Sequence, residues 1–119
     1  MEDDRPNNEF LGWMHWLDQR GVGHLEPRRW ISVNFTHQEV QTALAGQGVA
    51  LARIPLVYDL LERGDLVEPF GIDKRLISPY AYWQIAMPGA RPRAELDSFT
   101  LWLQDAARAT REAIGEQAD

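Results

Sequence analysis

Residues 36–70, THQEVQTALAGQGVALARIPLVYDLLERGDLVEPF, join a helix start, a glycine stop, a buried strand, a second helix and another strand with almost no spacer. Thr36 and Glu39 form a T-x-x-E capping box, in which each side chain satisfies a backbone N–H at the helix start. Val40, Ala43 and Leu44 supply that helix's apolar face, and Gly46 or Gly48 ends it. Residues 49–54 are a short, mostly apolar run suited to a strand covered on both faces. Pro55 fits the first position of the next helix, with Leu56, Leu60 and Leu61 inward and Gly64 as its stop, and residues 66–70 make another short strand. Just upstream, Ile31, Val33 and Phe35 alternate with Ser32 and Asn34 in a strand with one buried face. This order predicts an α/β fold with a largely parallel sheet flanked by helices. Two helix N-termini then open on the sheet's carboxyl edge, where such folds bind small ligands.

The remaining chain adds helices and turns. Asn7 or Asn8 caps a helix in which Phe10, Trp13, Met14 and Leu17 recur at helical spacing until Gly21. Two glycines and a proline make residues 21–29 a loop. Residues 71–79 are turn-rich, and residues 80–87 are aromatic and extended, closed by Pro88 and Gly89. A long helix runs from about Arg93 to Ala113, with Leu96, Phe99, Leu103, Ala106 and Ala113 on one stripe, and its last turns and the tail are expected to fray. There is no internal repeat or low-complexity segment.

Composition narrows the function. The 119 residues suit one domain, and a net charge of -6, with twelve basic residues scattered among eighteen acidic ones, argues against a nucleic-acid surface. Without cysteine there is no disulfide, thiolate metal site or thiol nucleophile. The acidic opening MEDDRPNNEF is the reverse of a signal peptide's start, and no apolar run approaches the ~20 residues of a membrane span. The expectation is a cytoplasmic chain with no membrane partner.

No catalytic constellation emerges. None of His15, His24 and His37 has a second histidine at i+3 or i+4, so no metal site is expected. Ser32, Ser78 and Ser98 lie outside any G-x-S-x-G turn, and Gly46-x-Gly48 follows a helix and precedes a strand, the wrong order for a phosphate cradle. Neither an enzyme nor a cofactor is expected, although an α/β edge alone does not exclude chemistry. The tryptophans read as core or interface packing, with Trp30, beside Arg28 and Arg29, open to either reading. The positive feature is the pair of helix N-termini at Thr36 and at Ile54 and Pro55, whose free N–H groups favour an anion. Two readings of Thr36 stand: it only caps its helix, or it meets a ligand.

The succession W-x-x-W-L at residues 13–17, QTALAGQGVALARIPLV at 41–57, GDLVEPF at 64–70, YAYWQIAMP at 80–88 and SFTLWL at 98–103 resembles, in order and spacing, the C-terminal part of LysR-type transcriptional regulators. The resemblance implies a periplasmic-binding-protein-like (type 2) effector domain, incomplete relative to the family: a polar lead at 1–10, most of a second sub-domain at 11–79, a returning hinge strand and last helix at 80–113, and a tail at 114–119. It implies a small-molecule effector met by Thr36, which matches a strand-end position where a Thr or Ser often meets the effector; the helix-end argument makes that effector anionic and adds His37, Ile54 and Pro55, with Arg53 after them. The helix-turn-helix is absent from these residues, so DNA binding is not carried over, and the chain is expected to be a fragment, a truncated product or a deliberate piece of a regulator. The last helix, lacking the sub-domain it covers, is expected to drive self-association or to stay mobile. The alternative is a stand-alone interaction module that dimerises or docks through its aromatic helices and binds no metabolite.

Overall fold

A computed structural model of the chain describes residues 12–116. Four α-helices follow one another, α1 (Trp13–Gln19), α2 (Thr36–Leu44), α3 (Ile54–Glu62) and α4 (Ala94–Ile114), with a 3₁₀ turn at Ile72–Lys74. Each lies where apolar periodicity and glycine stops put a helix. The proposed caps at Asn7 or Asn8, the first helix's Phe10 and the end of the tail lie outside the described residues.

Glycine ends α1, α2 and α3 as expected, and it ends α4 too. Gly21, Gly46, Gly64 and Gly115 all have positive φ, and Gly115 at φ 79° closes α4 in the left-handed conformation, its N–H reaching the Glu112 carbonyl while the Glu116 N–H reaches that of Arg111. Helix starts differ from expectation. Phe35, extended at φ -139°, is the residue before α2, and Thr36 is already helical, one position too late to cap. Glu39 does not complete a capping box either, because its Oε1 accepts the N–H of Leu51 at 2.9 Å. Pro55 sits inside the first turn of α3, which starts at Ile54, and its missing N–H costs nothing there.

The α/β prediction is overturned: among the described residues there is no strand. The runs 31–35, 49–53, 66–70 and 80–87 are irregular, with bends or turns in places, and form no ladder. Alternating or β-branched residues favour extended backbone locally, whereas a sheet needs a second backbone alongside at about 4.8 Å. Side chains take up some of the N–H groups that a ladder would use. Gln38 Oε1 accepts from Asn34 at 3.1 Å, Glu39 from Leu51, and Ser78 Oγ accepts from Tyr80 at 3.1 Å. A parallel sheet with a carboxyl-edge ligand site is therefore not the frame of this molecule.

What holds the helices is a small set of contacts. Helix α3 packs on α4, and Leu17, Val57 and Ile114, from α1, α3 and α4, are the buried apolar residues among those described. Around them runs a polar tie centred on Lys74 and Arg75. Arg20 Nη2 donates to both carbonyls, at 2.7 and 2.9 Å, and Trp16 Nε1 adds a bond to the Lys74 carbonyl at 3.3 Å. The Arg75 guanidinium then grips both oxygens of Glu68 at 2.7 Å and donates through Nη1 to the Ile114 carbonyl at 2.9 Å. Planar fork geometry suits this double role, which a lysine could not fill. The end of α1, the 3₁₀ turn and the end of α4 are joined through it.

Candidate functional site

Two places on the molecule offer functional groups. The first is the pair of helix starts at α2 and α3. Neither has a side-chain cap; the N–H groups of Gln38 and Leu56 are taken by the Phe35 and Arg53 carbonyls and Pro55 has none, so those of Thr36, His37 and Ile54 are left for water or a ligand. The Thr36 hydroxyl makes no hydrogen bond among the described residues, and Thr36, His37, Arg53 and Pro55 are exposed, with Ile54 half-buried. His37 stacks on Phe35 with ring centroids 5.6 Å apart. Arg53, the residue before α3, donates to the Tyr82 hydroxyl at 3.2 Å and lies 5.9 Å from that ring's centroid. The Glu39–Leu51 bond ties the first turn of α2 to the segment that feeds α3. Its carboxylate sits where the helix macrodipole is positive, a favourable placement.

The second place is an open cleft of about 860 Å³ beneath α1 and α2. Its walls are aromatic and aliphatic, with Trp13, Trp16, Trp30, Ile31, Val49 and Phe70 prominent. Trp13 meets Trp16 edge-on at 5.8 Å, and Trp16 lies 5.3 Å from Phe70, an arrangement that fixes one wall. Arg20, Arg29, Lys74 and Glu39 are its charged members. Thr36, His37, Arg53, Ile54 and Pro55 do not line it.

Sequence reasoning found the helix starts and missed the cleft. Trp30 alone carried a signal, as an aromatic beside arginines outside any helix. Arg20 and Lys74 carried none, since they meet through contacts 54 residues apart. Among the described residues no group of three or more His, Cys, Asp or Glu is placed to hold a metal ion, and no helix is long and apolar enough to cross a membrane.

The free N–H groups, the unused hydroxyl and the arginine at these two helix starts are groups that can bind an anion, and the chain is similar in sequence to curated transcriptional activators. They are the glycine cleavage system transcriptional activators of Escherichia coli, from strain K12, strain O6:H1 and O157:H7, each 27% identical over 100 residues. The match covers 84% of this chain and 32% of each relative, so the chain spans about a third of the length of the curated relatives it matches. No family model and no solved structure matches. The likeness agrees in kind with the regulator resemblance carried by the sequence motifs.

Proposed function

We propose that this chain is the effector-sensing part of a LysR-type transcriptional regulator and that it binds a small anion at the starts of α2 and α3. The distant likeness to a transcriptional activator supports the regulatory role. The observation that carries the site is the uncapped start of both helices: the Thr36 hydroxyl, free of a capping bond, stands beside unsatisfied N–H groups. In this reading Thr36 donates to a carboxylate, His37 and Arg53 add polar or cationic contacts, and Ile54 and Pro55 supply apolar ones. The chain itself does not bind DNA, and it works in the cytoplasm, where a regulator acts. It self-associates through the exposed side of α4.

A ligand that binds only the folded form raises the melting temperature. Titration with acetate, succinate and benzoate is expected to raise it in a saturable way, and Thr36→Val is expected to weaken the effective carboxylate about fivefold, the loss of one hydrogen bond. The melting temperature of the unliganded variant is expected to stay near that of the parent, since the hydroxyl bonds nothing in the fold. No shift with any carboxylate, or equal affinity in the variant, overturns the site.

A further inference from the structure

We draw no further inference here: the strongest candidate, the open apolar cleft beneath α1 and α2 lined by Trp13, Trp16, Trp30, Val49 and Phe70, carries none, because nothing in the structure shows what covers it.

Discussion

At the scale of single residues, the tie between Glu68 and Arg75 has the clearest energetic consequence. The hydrogen bonds from Arg75 hold the Glu68 carboxyl below its ordinary value of 4.5, against the opposing effect of burial, and the same bonds raise the Arg75 guanidinium above its ordinary value. A carboxylate whose folded pKa is depressed stabilises the fold above its unfolded pKa, and that contribution disappears as pH falls through the lower folded value. Melting temperature is therefore expected to drop below about pH 4.5 more steeply in the parent than in Glu68→Gln. At pH 7 that variant is expected to be less stable by about 1 kcal/mol, because both side chains remain roughly a quarter exposed and solvent screens the pair. Equal acid sensitivity of the two proteins would contradict this role. Such a pair was not legible in the sequence: nothing in a seven-residue spacing between a glutamate and an arginine marks it. The T-x-x-E motif was legible and misleading. Its residues belong to a helix start, but Phe35 takes the flanking position and Glu39 is drawn to Leu51, so the pattern located the helix and misassigned the bonds.

At the scale of elements, helices were readable because their signals are local. Periodicity needs only the residues of one segment, and a positive-φ glycine stops a helix whatever surrounds it. Gly115 tests that statement. A Cβ there meets no atom within 4 Å, so Gly115→Ala adds no clash and changes only the backbone preference at φ 79°. It is expected to cost about 1 kcal/mol and to speed amide exchange in the last turn of α4, while Ala113→Gly would act through helix propensity alone. Unchanged exchange in Gly115→Ala would show that the closing turn is held by Arg75 on the Ile114 carbonyl rather than by the glycine. Strands were not readable in the same way. Alternation in residues 31–35 and the aromatic run 80–87 specify an extended backbone, yet pairing depends on a partner that no local pattern names. Among the described residues these segments form no ladder, and the sheet did not follow.

At the scale of the molecule, the apolar surface left outside the small core is the dominant fact. The radius of gyration is 17.2 Å, against about 13.5 Å for a compact domain of this length. Helix α4 packs on α3, yet Leu96, Phe99 and Trp102 remain half or more exposed, as do Trp83 and Ile85 upstream. Surfaces of this kind associate. Sedimentation is expected to show mass rising with concentration, and Phe99→Ser with Trp102→Ser to reduce it, with a monomer at every concentration as the contrary result. The proposed association surface and the proposed anion site lie on different parts of the chain, so either can be tested without the other. The most direct measurement is amide chemical-shift mapping of the labelled chain during titration with whichever of acetate, succinate or benzoate raises the melting temperature most. Saturable shifts centred on Thr36, His37, Ile54 and Leu56, lost in Thr36→Val, are expected of an anion site at the starts of α2 and α3; shifts confined to the cleft around Trp30 and Val49, or none, would contradict it.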